Sequence, residues 1–115
     1  DKKVKADLYF NLGVIYNQMS EFDAAEMAFD EAYYLNDQDF EAVLGMAHAF
    51  EGLGDKYKDG TDGFEKDLTK AARWYRKAGR KIKDAMTIDY ENEEKYTRQL
   101  ELIQYKRNIV EGEQE

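Results

Sequence analysis

A repeated pattern with a period of 34 residues constrains the fold of this chain more than any other sequence feature. Leu12-Gly13 returns as Met46-Ala47, and the apolar residues around that pair return with it. A period of this length is typical of stacked helix-turn-helix units. It favours a binding scaffold over a catalytic fold. The other matched pairs are Tyr9 with Val43, Tyr16 with Phe50, and Met19 with Leu53.

A second apolar series repeats at an offset of 46 residues, which is the same period with 12 residues added. An insertion must therefore lie between Gly54 and Leu68, where glycines cluster. We place it at 55–66, with 55–63 as an irregular stretch in which Asp-Gly pairs signal turns. The matched pairs are Phe22 with Leu68, Ala25 with Ala71, Phe29 with Tyr75, and Ala32 with Ala78.

Helical spacing of apolar residues predicts five helices in one domain spanning 1–115. Ser20 is expected to cap the second helix through its hydroxyl, and Gly54 to end the third. Small residues such as Gly45 indicate close packing between helices. The predicted helices are 5–19, 21–35, 40–53, a fourth from residue 62 or 67 to 83, and 92–109, followed by a frayed tail at 111–115.

Composition excludes several classes of protein. The chain has no cysteine, which excludes disulfides and thiolate metal sites. No apolar run approaches the roughly 20 residues that a membrane span needs, and there is no signal-peptide core. We therefore expect a soluble protein, cytoplasmic or periplasmic, with no membrane partner. The chain begins at Asp1 rather than Met, which indicates a mature protein or a segment of a longer one.

The net charge of −8 is distributed unevenly along the chain. Residues 6–54 carry ten acidic side chains and no Lys or Arg, whereas residues 66–83 carry eight basic side chains and one acid. Such segregation bears on partners rather than on fold.

These motifs resemble the tetratricopeptide repeat family, whose pattern is a bulky residue, Leu-Gly and Tyr on one helix, then Ala, an aromatic and Ala on the next. The resemblance implies a right-handed helix-turn-helix solenoid: repeat 1 at 6–39, repeat 2 at 40–85, and a capping helix at 90–110. The first repeat carries the pattern at Tyr9, Leu12, Gly13, Tyr16, Ala25, Phe29 and Ala32, and the second at Val43, Met46, Ala47, Phe50, Ala71, Tyr75 and Ala78.

In this family the first helix of each pair lines a concave groove that binds partner segments. The resemblance implies a groove with apolar residues and acidic edges, which suits an apolar peptide flanked by Lys or Arg. The alternative is that Phe10 and Leu44 pack against adjacent helices, or against further repeats of a longer protein. Carried over by alignment, the lining is Asp7, Phe10, Asn11, Val14, Asn17, Gln18, Glu41, Leu44, Gly45, His48 and Glu51.

Some family members clamp the C-terminal carboxylate of chaperones with basic residues, and the acidic charge of 6–54 argues against that role here. The opposite charges of the two halves favour a second interpretation, a structural unit that forms homo-oligomers through its acidic and basic surfaces. Nucleic-acid binding through the basic helix, with Trp74 stacking on a base, is a less favoured third.

No catalytic, cofactor or metal site is predicted, and the chain is not expected to be an enzyme. His48 is the single histidine and has no Cys or second His to share a metal. Asp55, Asp59 and Asp62 do not have the spacing of a calcium loop, so they are interpreted as turn residues.

Overall fold

The computed structural model describes residues 1–113, and these residues form helices and no strand. This confirms the all-α prediction and the number of long helices. None of the described helices is long and apolar enough to cross a membrane. The helices are α1 Lys2–Gln18, α2 Phe22–Leu35, α3 Phe40–Asp59, α4 Leu68–Ile88 and α5 Glu93–Glu113, with a short 3-10 turn, Tyr90–Asn92, before α5.

Helices that are consecutive along the chain pack on one another, most extensively α3 with α4 and α1 with α2, and α1 also touches α3. The core between them is built largely from alanine, which lets helix backbones approach closely, with a few aromatic rings filling the remaining space. Phe29 and Tyr75, which the 46-residue offset pairs, are both buried. The result is a slab with principal extents of 50 × 33 × 17 Å.

Three aspartates cap the starts of helices, whereas the predicted cap at Ser20 is wrong. Asp1 accepts a hydrogen bond from the Lys3 amide at 2.8 Å. Asp39 accepts a hydrogen bond from the Ala42 amide at 3.0 Å, and Asp67 accepts one from the Lys70 amide at 3.0 Å. Asp67, rather than residue 62, therefore begins α4. Ser20 instead has a left-handed backbone (φ 60°), and the residue before α2 is Glu21, which makes no side-chain cap.

The third helix does not end at Gly54 as predicted but continues to Asp59. Gly52 and Gly54 are packing positions, because a Cβ at Gly54 would lie 2.5 Å from the Tyr75 ring and one at Gly52 would overlap the Phe22 ring. The helix ends at Gly60, which has the left-handed conformation (φ 68°) that glycine adopts without strain. Part of the predicted insertion is thus an extension of α3.

The C-terminal boundaries also differ from the prediction. Helix α4 continues five residues beyond 83, and α5 continues to Glu113, so residues 111–113 are helical rather than a frayed tail. Glu111 accounts for this, because its carboxylate accepts from Arg76 at 3.0 Å and lies 3.5 Å from Arg107. The remaining tail residues, 114–115, lie outside the described residues.

Candidate functional site

A concave groove lies between α1 and α3, and residues from the start of α5 complete its lining. Its volume is about 760 Å³. We call it the α1–α3 groove. Its lining is Phe10, Val14, Asn17 and Gln18 from α1, Phe29 from α2, Phe40, Glu41, Leu44, Gly45 and His48 from α3, and Asp89, Asn92, Lys95 and Gln99 from the C-terminal part.

Most of the predicted lining residues meet in this groove, and three do not. Asp7 and Asn11 are exposed on α1 outside the lining, and Glu51 faces α5 instead. The residues that the structure brings together are Phe10, Val14, Asn17, Gln18, Glu41, Leu44, Gly45 and His48.

The apolar part of the groove is only half-buried. Phe10, Val14 and Leu44 are partly exposed, although they touch the core. Phe10 packs edge-on against Phe29, with ring centroids 5.7 Å apart. The alternative interpretation, that Phe10 and Leu44 pack against neighbouring helices, is therefore correct for one side of these residues. Their other side is accessible from the groove.

Two glycines fix the floor of the groove around Phe29. A Cβ at Gly13 would lie 2.7 Å from the Phe29 ring, and a Cβ at Gly45 would overlap the same ring from the other side. The ring therefore lies between the backbones of α1 and α3. This gives Gly45 the packing role that its small size suggested.

Asn17 joins the two walls of the groove. Its side-chain nitrogen donates a hydrogen bond to the Gly45 carbonyl at 3.2 Å. The other side-chain atom, Oδ1, is buried and accepts no hydrogen bond from any described residue, and the same is true of Gln99 Oε1. A buried acceptor without a partner costs about 1–3 kcal/mol. Both residues line the groove, but both oxygens are closed off from solvent, so a donor in the groove reaches them only when the side chain turns towards it.

The rim of the groove carries charge of both signs. Asp89 accepts from the Tyr96 hydroxyl at 2.6 Å and from the Asn92 amide at 3.0 Å, and these bonds lower the pKa of Asp89 below its ordinary value. Glu41 is exposed on the α3 side. Lys95 lies on the α5 side of the rim. The rim is therefore of mixed charge, whereas acidic edges were expected from the sequence.

Glu51 belongs to a separate cluster that attaches α5 to α3. Lys106 donates to Glu51 at 2.5 Å and to Asp55 at 3.2 Å, and the Tyr75 hydroxyl donates to Asp55 at 2.6 Å. Burial alone would lower the pKa of Lys106. The hydrogen bonds and the charges of the two acids outweigh burial and raise it. Glu51 is thus a structural residue.

Trp74, the residue expected to stack on a base if the basic helix binds nucleic acid, packs against an aromatic ring and a lysine. Trp74 is half-buried, its ring lies 5.5 Å from that of Phe50, and the Lys77 ammonium lies 4.5 Å from the Trp74 ring centroid. Among residues 1–113, no three His, Asp or Glu side chains are grouped as a metal site would require.

Sequence reasoning missed the contribution of the C-terminal part to the groove. Asp89, Asn92, Lys95 and Gln99 carry no motif, and their place in the groove depends on the angle at which α5 turns back. The helical spacing of apolar residues along α5 predicts which side of the helix is buried, but it does not predict that angle.

The described residues thus define an all-α protein of five helices with an open, partly apolar groove. Comparison with protein-family models, with curated proteins and with solved structures found no match to this chain.

Proposed function

We propose that this chain is a non-enzymatic protein interaction module that binds a segment of a partner protein in the α1–α3 groove. The observation that carries the proposal is the meeting of Phe10, Val14 and Leu44 with two unpartnered acceptors, Asn17 Oδ1 and Gln99 Oε1. Apolar floors with a few polar groups that fix orientation are typical of binding sites.

A tetratricopeptide-like solenoid is the architecture we propose for this module. Its support is the agreement between sequence offsets and burial. Ala25 and Ala71 are both fully buried, as are Ala32 and Ala78, at the 46-residue offset. The small residues at Gly13 and Ala47, which the 34-residue period pairs, are buried as well.

The groove chemistry favours a partner segment that brings apolar side chains and nitrogen donors. Apolar side chains would cover the half-exposed surface of Val14 and Leu44. Peptide amides, or the nitrogens of Lys or Arg, would donate to Asn17 Oδ1, Gln99 Oε1 and the Glu41 carboxylate. Because Lys95 stands on the α5 side, the basic flank of the segment is expected to lie towards α3.

An array of short synthetic peptides tests this proposal. Each peptide carries Leu, Ile, Phe or Met at its centre, and its flanks carry either Lys and Arg or Glu. We expect the basic set to bind in preference. Glu41→Lys should abolish that preference by reversing the charge of the rim, whereas Glu31→Lys, an exposed acid of α2 outside the groove, should leave it unchanged.

Leu44→Ser tests the contribution of the apolar lining in the same experiment. It should weaken binding of every peptide in the bound set, while Leu102→Ser, an exposed leucine on α5 outside the groove, should not. Circular dichroism confirms that each variant is folded. Equal binding of the basic and acidic sets, or binding that survives Leu44→Ser in a folded variant, contradicts the proposal.

The alternative, assembly through the acidic and basic surfaces, has less support. Glu26 on α2 is near enough to Lys81 and Lys77 on α4 for their charges to lower its pKa, although burial and Asp30 outweigh them and raise it. Arg76 pairs with Glu111. Part of the opposite charge is therefore already matched within one chain. Charge-driven oligomers would dissociate with added salt, which size-exclusion chromatography measures.

A further inference from the structure

An uncovered apolar strip runs along the outer side of α1. Five residues form this strip, and the last four follow the 4-3-4 spacing of a two-helix seam. The opposite side of α1 packs on α2 and α3. The helix therefore has two apolar faces, which is typical of helices that are covered on both sides. The strip consists of Val4, Leu8, Leu12, Ile15 and Met19, which are 55%, 59%, 42%, 50% and 62% exposed.

The internal repeat shows what such a strip does when it is covered. The positions of α3 that lie 34 residues after Leu8, Leu12, Ile15 and Met19 are all buried in the core. These positions therefore form a packing surface in α3. In α1, no residue among 1–113 covers the matching positions. The four α3 residues are Ala42, Met46, Ala49 and Leu53.

We propose that a second copy of this chain covers the strip, with the two α1 helices antiparallel about a two-fold axis. The spacing of the strip is self-complementary in this arrangement. Leu12 of one copy meets Ile15 of the second, and Leu8 meets Met19 of the second, so every seam residue gains an apolar partner. This surface is separate from the α1–α3 groove, and its occupancy does not depend on the groove.

Charge complementarity sets the antiparallel direction. The start of α1 carries Lys2, Lys3 and Lys5 together with its cap Asp1, and the chain after its end carries Glu21 in the turn and Asp23 in the first turn of α2. Antiparallel pairing brings the lysines of one copy near the acids of the second at both ends of the seam. Parallel pairing would place lysine beside lysine and acid beside acid.

The residues of α1 that flank the four seam positions are uncharged. Tyr9 and Tyr16 flank the seam on one side, and Asn11 and Gln18 on the other. The α1 flanks therefore bury no unpaired ion, which would be costly, and the acids Glu26, Asp30 and Glu31 of α2 lie beyond the tyrosines at the edge of the contact.

The opposite end of the molecule is a poorer partner for the strip. On the outer side of α5, the large apolar residues that are strongly exposed are Leu102 and Tyr105. Charged residues such as Arg98 and Glu101 surround them. Head-to-tail contact would thus leave most of the α1 strip against charged groups, whereas a second α1 offers the same row of apolar side chains.

The first test is the mass in solution, measured by sedimentation equilibrium over a protein range on the order of 1–100 μM, where interfaces of modest size associate. We expect twice the monomer mass of 13.5 kDa at the upper end, and no dissociation when salt is raised, because the seam is apolar. Ile15→Lys should give the monomer mass throughout. Leu102→Lys, the matched control, should leave the dimer intact.

Cysteine cross-linking tests the direction of the helices, since the chain has no cysteine of its own. Leu8→Cys and Met19→Cys should form a disulfide when the two variants are mixed under oxidising conditions. Neither variant should form a disulfide with itself. In antiparallel helices the two copies of the same position lie about 16 Å apart along the seam, at 1.5 Å per residue.

Three results would overturn the proposal. One is a monomer at every concentration. Another is a dimer that Ile15→Lys leaves intact, which would place the contact elsewhere. The last is a disulfide formed by Leu8→Cys with itself, with none between the two different variants in the mixture, which would make the helices parallel.

Discussion

The ring of Phe29 lies against Gly45 so closely that a Cβ on residue 45 would overlap it. Phe29 belongs to α2 and Gly45 to α3. This contact therefore limits how closely the α1–α2 pair of helices approaches the α3–α4 pair. Gly45 also supplies the carbonyl that Asn17 binds. The floor and one polar anchor of the α1–α3 groove thus depend on the same residue.

Gly45→Ala is expected to destabilise the protein although alanine favours helices. Overpacking against the buried Phe29 ring costs about 1–3 kcal/mol, more than the roughly 1 kcal/mol gained in helix propensity. Gly79→Ala is the matched control, because its Cβ would meet Ile103 and Leu100 at ordinary distances of 3.8 and 3.9 Å. It should be neutral or stabilising. Urea unfolding measures both, and a stabilised Gly45→Ala would contradict the packing argument.

Lys106→Met is expected to lower the free energy of unfolding by about 1.5–3 kcal/mol, the range for hydrogen bonds to charged groups. The substitution keeps an unbranched apolar side chain, one atom shorter, but leaves Glu51 and Asp55 without their cation. Arg98→Met removes an exposed pair with Glu94 instead and should cost under about 1 kcal/mol. Equal losses in the two variants would show that the Lys106 cluster contributes no more than a surface pair.

The same cluster predicts how stability changes at alkaline pH. The pKa of Lys106 is raised from 10.5, so its contribution is full below that value and is lost as pH rises through the raised pKa. Burial and the bond to Asp55 raise the pKa of Tyr75 above 10, which adds a loss of the same sign. Urea unfolding at increasing alkaline pH should show a decline that is shallower in Lys106→Met.

Tyrosine absorbance during alkaline titration provides an independent measurement. Burial and a hydrogen bond to a carboxylate raise the pKa of both Tyr75 and Tyr96. Two of the nine tyrosines should therefore ionise late. Tyr96→Phe should remove one of them and also raise the pKa of Asp89, because it removes the largest stabilising bond to that carboxylate. An unchanged late fraction in Tyr96→Phe would rule out the Tyr96–Asp89 bond.

Ser20→Gly is expected to stabilise the protein by up to about 1 kcal/mol, because the roughly 1–2 kcal/mol that a left-handed backbone costs serine exceeds the roughly 0.5–1 kcal/mol of extra entropy that glycine loses on folding. A capping serine would behave differently, since its replacement by glycine costs a few tenths of a kcal/mol. Asp39→Ala, at a cap that the structure shows, should destabilise by about 1 kcal/mol. Thermal unfolding of the two variants decides between these roles.

Much of the fold could be predicted from local patterns. The period of 34 and the offset of 46 placed Phe29, Ala71 and Tyr75 in the core, and all three are buried. These residues are predictable because each helix must bury one apolar stripe, and the stripe is visible in its spacing. Most of the groove lining followed from the resemblance to the tetratricopeptide repeat family, which implies the side of α1 and α3 that faces the groove.

The wrong predictions concern residue types that can have either of two structural roles. Gly54 was interpreted as a helix end, but its small size serves the approach of Tyr75. Ser20 was interpreted as a cap, but it ends one helix in a left-handed conformation before the next begins. Composition alone does not distinguish these uses, because the difference lies in what packs against the residue.

The sequence by itself determined the helices, their buried stripes and the acidic and basic halves, because each depends on neighbours within a few turns of one helix. The tertiary structure decided which stripe stays uncovered on α1, how α5 completes the groove with Lys95 and Gln99, and that Glu51 faces Lys106. Those outcomes depend on the angles between helices, which packing of distant side chains sets.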